Sequence, residues 1–334
     1  MKFGLFGGAR VDTDGPSTDS QGYESFVNYI VEAEQLGFES LFLVEHHFTG
    51  VGQVSSSMSL LAYLAAKTST IRLGTGVVVL PWHNPVLVAE QAATIDLLSN
   101  GRLDFGVGRG YRKAEFESFG VPIEEGQERF DEAIEVIRKS WTNKERFTHH
   151  GKRWNYNDIV VEPPVRQQPH PPMWLGAVNP EAIRRAAREG YNLLLDQVAS
   201  VAQIGERVRT FQDECARVER PYHPHMVGVT RGLYMARTPQ ERVSQLARRA
   251  QIMGTIGAIR QPGAEPQDDD APLFGSPAEI VERLRALERE GVGFVLASDP
   301  SGNLETLRTF AAEVMPAMKD SDAVRGAKLE PVTA

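Results

Sequence analysis

The chain has 334 residues and carries 36 Lys and Arg against 44 Asp and Glu, a formal net charge of −8. That length allows two domains or one large barrel, and a composition 41% apolar and 24% charged excludes global disorder. An acidic balance without a block of Lys or Arg lacks the footprint of a nucleic-acid binder and is repelled by anionic membranes. A single cysteine, Cys215, excludes an intramolecular disulfide framework and a Cys-rich metal site. No run approaches the ~18 apolar residues of a membrane span, and the apolar part of residues 1–8 is too short for a signal peptide. The expectation is a cytoplasmic protein.

Short β-type runs alternate with helical periods along the chain. Residues 2–6 are expected as a strand and 23–36 as a helix with Phe26, Ile30 and Ala33 on one face. Residues 40–44 form the next strand, 57–67 a helix through Leu60, Leu61 and Leu64, and the β-branched run 71–80 a strand that continues outward. A helix over 86–98 lies between Pro85 and the stop signal Asn100-Gly101. Then come a strand at 103–107, a helix at 128–141, a strand at 173–175, and a helix at 180–188 opened by Pro180 and closed by Gly190. Segments 193–195, 201–217, 227–235 and 239–252 repeat the unit. An additional helix at 277–290, a strand at 294–297 and a helix at 304–315 complete it.

Eight strands that read as continuous apolar runs, each followed by a helix, predict an α/β fold of parallel strands buried on both faces. The count fits a (β/α)8 TIM barrel with insertion loops, one domain over 1–320 with a frayed tail at 321–334. Two insertions break the rhythm. Residues 142–161, polar and aromatic with Gly151 at a turn position, read as a hairpin. Residues 257–272, rich in Pro and Gly and carrying Asp268-Asp269-Asp270, read equally as a lid or as a surface insertion.

Active sites of such barrels lie at the C-terminal ends of the strands. Four clusters fall there: Glu45-His46-His47-Phe48, Thr75-Gly76-Val77, the run from Gly106 to Tyr111, and Gly176-Ala177-Val178-Asn179-Pro180. His46 and His47 are adjacent in extended chain and point to opposite faces, so they do not bind one metal together. His149-His150 has the same defect, and His223 and His225 precede a strand, at the wrong end. No metal site is expected. One imidazole suits general acid–base work, and the other is expected to be a hydrogen-bonded structural residue.

Gly106, Gly108 and Gly110 do not complete a dinucleotide fingerprint, because Tyr111 stands where the third small residue is required. Glycine here keeps side chains away from a flat ligand, and Arg109 either meets an anionic group or is a plain surface residue. Asn179 is a competent N-cap with Pro180 at the first helical position; the amides of that helix start hold a phosphate, or merely cap the helix.

In this order and spacing the segments resemble the bacterial luciferase-like monooxygenase family. The resemblance rests on Leu43-Val44-Glu45-His46-His47-Phe48-Thr49, Leu73-Gly74-Thr75-Gly76-Val77-Val78-Val79-Leu80-Pro81 and Asn84-Pro85-Val86. It extends through Asn100-Gly101-Arg102-Leu103-Asp104-Phe105-Gly106-Val107-Gly108-Arg109-Gly110, Glu115-Phe116 and the helix start Gly275-Ser276-Pro277-Ala278-Glu279. It implies an enzyme on a (β/α)8 barrel that takes reduced FMN from a separate flavin reductase. Reaction of FMNH2 with O2 would give a C4a-hydroperoxyflavin that oxygenates a small organic substrate, such as an aldehyde or a ketone.

By position His46 matches the family's catalytic base, and Gly76-Val77 a strand-end peptide, often non-prolyl cis, that backs the flavin ring. Arg109 matches a phosphate-contacting arginine and Asn179 a polar residue at the phosphate; Thr75, Tyr111, Gly176 and Val178 belong to the same cofactor-binding segments. Two positions depart: Gly108 stands where luciferase has a reactive cysteine, and Val178 where it has an acidic residue. The phosphate contacts then fall to backbone amides and Asn179, and light emission is not expected. Trp82 and the 257–272 segment would help exclude water, which the chemistry requires.

The family also implies a homodimer, for which the helices at 57–67 and 86–98 are apolar enough. Rival readings are a deazaflavin (F420)-dependent hydride-transfer oxidoreductase, a flavin-binding protein without turnover, and a metal-dependent hydrolase. The Glu45-His46-His47-Phe48 string favours FMN over F420.

Overall fold

A computed structural model describes residues 1–9, 21–50, 53–259 and 270–319. The expectations for residues 260–269 of the proposed lid and for the tail at 321–334 lie outside the described residues. The strands are β1 (Lys2–Gly7), β2 (Ser40–Leu43), β3 (Arg72–Thr75), β4 (Val78–Val79), β5 (Leu103–Gly108), β6 (Phe147–His150), β7 (Asn155–Ile159), β8 (Met173–Gly176), β9 (Asn192–Leu195), β10 (Val227–Met235), β11 (Leu273–Gly275) and β12 (Phe294–Ser298). The helices are α1 (Gln21–Gln35), α2 (Ser57–Lys67), α3 (Pro85–Leu98), α4 (Lys113–Ser118), α5 (Gly126–Thr142), α6 (Pro180–Arg188), α7 (Val201–Arg217), α8 (Pro239–Ile259), α9 (Pro277–Arg289) and α10 (Leu304–Thr309).

Eight strands close on themselves in the order β1-β2-β3-β5-β8-β9-β10-β12, with β12 pairing back to β1. Every pairing in the ring is parallel. This is a (β/α)8 barrel. Its interior is packed by Phe42, Trp174, Leu194, Phe294 and Leu296, with Phe6 and Val77 against them. Glycines on the neighbouring strands make room for these rings: a Cβ on Gly74 would stand 2.5 Å from Cδ1 of Phe42. The opposite strand faces carry the larger core shared with the helices, including Leu41, Leu73, Phe105, Leu193, Val229 and Val295.

Helix ends follow their local chemistry. Asn84 caps α3, its side chain accepting from the Val86 and Leu87 amides at 3.0 and 3.2 Å, with Pro85 at the first position. The same helix stops where Asn100 and Gly101 turn left-handed, at φ 58° and 84°. Next in the chain, buried Arg102 gathers carbonyls that the helix ends leave open, donating to Ala65, Thr68, Ile71 and Ser99 at 2.7–3.0 Å.

Four features differ from the sequence reading. The 71–80 run is not one strand: β3 ends at Thr75, the Gly76–Val77 peptide is cis, and Val78–Val79 pairs with Val107 and Gly108 of β5. The short helix α4 lies within the segment between β5 and α5. β11 is added to the outer end of β10 through Leu233–Leu273 pairing, and a π-helical turn follows α10 at Phe310–Val314. The hairpin is present as β6–β7, antiparallel.

Candidate active site

His46, Val77, Arg109 and Asn179 follow β2, β3, β5 and β8, which are consecutive around the barrel. They therefore share one half of its C-terminal rim. The floor of that half is Val77. Its methyls lie over glycine on both sides: a Cβ on Gly108 would meet Cγ2 of Val77 at 2.6 Å, and one on Gly176 would meet Cγ1 at 3.4 Å. Phe6 packs beneath Gly76, 2.9 Å from where a Cβ would sit. A side chain at 108 would thus displace the floor, so the apolar face that Val77 presents depends on glycine there.

Thr75 lies below this floor, fully buried. Its hydroxyl donates to the Gly106 carbonyl at 2.6 Å and accepts from the Gly106 amide at 2.9 Å, bolting β3 to β5. At the rim, Arg109 is exposed, and among the described residues its guanidinium has no hydrogen-bond or ion-pair partner. Val107 of β5 pairs with Leu175 of β8, so Gly108-Arg109 and Gly176 leave the barrel side by side. Gly176, Val178 and Asn179 are exposed, and the Asn179 side chain accepts from the Ala182 amide at 2.9 Å, capping α6. Tyr111, half exposed, stands beyond Arg109.

On the other side of Val77 the two histidines go to different carboxylates. His46 Nδ1 lies 3.4 Å from Oε1 of Glu115. His47 Nε2 lies 3.3 Å from Oε1 of Glu45, which also receives Nε2 of His83 at 2.9 Å and the Trp82 indole at 3.3 Å. His47 is boxed by aromatic rings, edge-on to Phe119 at 4.8 Å and to Trp82 at 6.0 Å. Of the two it is the more enclosed, its side chain 15% exposed against 25% for His46.

Glu45 and Glu115 are both buried. Burial alone raises a carboxyl pKa, yet hydrogen bonds from His47 and His83 outweigh it and bring Glu45 down to about 2. Burial likewise opposes ionisation of Glu115, but His46, the His47 amide and Arg112 hold its carboxyl below the ordinary range. Arg112 donates to it at 2.8 Å.

Sequence reasoning named none of Glu115, Arg112 or His83 as site residues. Glu115 is 69 positions from His46, and only the docking of α4 over the β2 loop brings them together. Among the described residues no group of three or more His, Cys, Asp and Glu side chains is placed to hold a metal. The His149 region lies elsewhere: His149, on β6 of the hairpin, is buried against α5, 3.3 Å from Glu132. No helix among the described residues is long and apolar enough to cross a membrane.

Residues 1–293 match the model of the luciferase-like monooxygenase family. The chain belongs to that family. One relative is the oxygenase component of a flavin-dependent trigonelline monooxygenase from Acinetobacter baylyi, 26% identical, with 97% of this chain and 98% of that protein covered. Another is an F420-dependent glucose-6-phosphate dehydrogenase from Microbacterium testaceum, 27% identical over 91% of this chain and 96% of its own. In three dimensions the chain is similar to a monooxygenase from Streptomyces bottropensis, at a TM-score of 0.82 and 24% identity, covering 95% of this chain and all of that one. As a luciferase-like protein the chain has oxidoreductase relatives of two cofactor types.

Proposed function

We propose that the chain is the oxygenase component of a two-component FMN-dependent monooxygenase acting on a small organic substrate. The observation that carries this reading is the division of the rim. An arginine without a partner among the described residues and a helix N-terminus lie on one side of an apolar floor, and a carboxylate-paired imidazole lies on the other.

The residues fit a flavin mononucleotide. Val77, between Gly108 and Gly176, would back the ring, with Gly76 and the buried Thr75 bolt fixing its height. Arg109, Asn179 and the backbone of Gly176–Val178 would hold the phosphate, and Tyr111 would flank it. When bound, reduced FMN supplies the electrons that activate O2, which is why the chain needs no metal or nucleophile of its own. This chain's part is to orient the ring, exclude water with Trp82, Phe116 and Phe119, and take or return a proton at His46 Nε2. A flavin reductase would supply FMNH2, and a cytoplasmic homodimer would form through α2 and α3. Those helices expose Tyr63, Leu87, Leu97 and Leu98, at 53%, 55%, 43% and 60%.

The F420-dependent relative supports a second reading, hydride transfer with a deazaflavin on the same floor. Titration of the protein with FMN, riboflavin and F420, followed by stopped-flow mixing of the reduced complex with O2, tests both. Preference for FMN over riboflavin, with a transient absorbance unlike reduced or oxidised FMN, is the expected result. Tight F420 binding with indifference to O2 would overturn it. FMN binding with no change from free-flavin reoxidation would leave a binding protein only.

A further inference from the structure

We propose that Glu115 is a positioning residue that makes His46 a base at Nε2. The proposal rests on the acid–base role given to His46 above. Three nitrogens converge on one oxygen of Glu115: the His47 amide at 2.9 Å, Arg112 Nη1 at 2.8 Å and His46 Nδ1 at 3.4 Å. Two of them, a backbone amide and a guanidinium, are donors whatever the pH. An ionised carboxylate held by those two can only accept, so a neutral His46 that hydrogen-bonds to it carries its proton on Nδ1. Nε2 is then left with the lone pair.

When Nε2 takes a proton, the imidazolium lies against an ionised carboxylate and is stabilised by it. The proton taken at Nε2 returns by the same atom, and Glu115 itself neither gains nor loses one. The other charged and titratable groups facing this corner are Arg112 on the same segment, His47 and Glu45 on the β2 loop, and His83 after β4. Glu45 belongs to His47 and His83 and does not reach His46, so the two histidines are oriented separately.

The bland alternative is a structural tie: Glu115 would simply pin the 46–48 loop to α4. Glu115→Gln separates the two. Its amide oxygen still accepts from the His47 amide and from Arg112, so the tie survives, but the charge behind His46 is gone. With FMNH2 as the probe, the rate at which the bound reduced flavin reacts with O2 is expected to fall about 100-fold in E115Q. FMN affinity should stay within about twofold, and Glu115→Asp should recover part of the rate.

Imidazole 15N spectra of the wild-type protein give a readout that needs no turnover. They should show neutral His46 protonated at Nδ1, while His47 and His83 are protonated at Nε2. Neutral His46 protonated at Nε2 in the wild type overturns the proposal even if E115Q does not fold. So does an E115Q protein with the wild-type rate. Measured alongside, His46→Ala tests the parent reading: if it reacts with O2 like the wild type, the acid–base role fails, and the 15N assignment still decides whether Glu115 sets the His46 tautomer.

Discussion

Replacing Arg109 with alanine isolates the phosphate end of the rim. The guanidinium is exposed and has no partner among the described residues, so its removal leaves no buried group unsatisfied and no cavity. The fold should be indifferent, within about 0.5 kcal/mol. A phosphate about 4 Å away interacts with one positive charge by roughly 1 kcal/mol in bulk water and about 4 kcal/mol at the effective dielectric of a protein surface. A charge-assisted hydrogen bond on such a rim is worth about 1.5–3 kcal/mol, which corresponds to roughly a 10- to 150-fold loss in affinity. Isothermal titration with FMN and with riboflavin provides the assay. FMN should weaken by that factor in R109A and riboflavin, which lacks the phosphate, should not change. Equal losses for both ligands would put Arg109 against the ring and refute the division of the rim. No loss for either would remove Arg109 from the site.

Three further outcomes follow from other contacts. Thr75→Val keeps the volume but leaves the buried Gly106 carbonyl and amide facing a methyl; a loss of about 2–4 kcal/mol is expected from the urea midpoint, and one under about 1 kcal/mol would mean the bolt does not matter. Glu45 is held at about 2 against an ordinary 4.5, so its folded-state pKa is depressed. Its contribution, about 3 kcal/mol, is present above pH 4.5 and lost as pH falls toward 2. Acid titration of stability should show that loss in the wild type and a shallower one in Glu45→Gln. Leu98→Asp places a charge among the apolar residues of α2 and α3; sedimentation should show a dimer for the wild type and a monomer for the variant, and a wild-type monomer would refute the interface.

The sequence made the barrel legible because its strands are buried on both faces and its helices are punctuated. Asn84-Pro85, Asn100-Gly101 and Asn179-Pro180 all mark helix ends where expected. The break at Gly76–Val77 was hidden inside a continuous β-branched run, whose periodicity is blind to the loss of one pairing partner: β3 pairs with both β2 and β5, and Val78–Val79 with β5 alone. β11 was missed because three residues carry no period, and α4 because six residues are under two turns.

At the site, His46 and the rim glycines could be located from strand ends alone. Their partners could not. Glu45 stands in the same short string as His47, yet His83, which shares its oxygen, is 38 positions on. Glu115 lies in a helix that the reading passed over. Such contacts exist only once the β2 loop and α4 are folded onto one another.

The plug of aromatic and aliphatic side chains inside the barrel, Phe42, Trp174, Leu194, Phe294 and Leu296, has a bearing on traffic. Among the described residues it fills the barrel interior, so the Val77 floor is reached from the mouth. Occupancy is then a stack. Under the flavin reading the cofactor is the first to enter and the last to leave, with the organic substrate seated above it. Product must vacate before spent flavin can be exchanged, so excess substrate should slow flavin turnover by lying over it. In such a vessel the order of events is set by depth rather than by affinity.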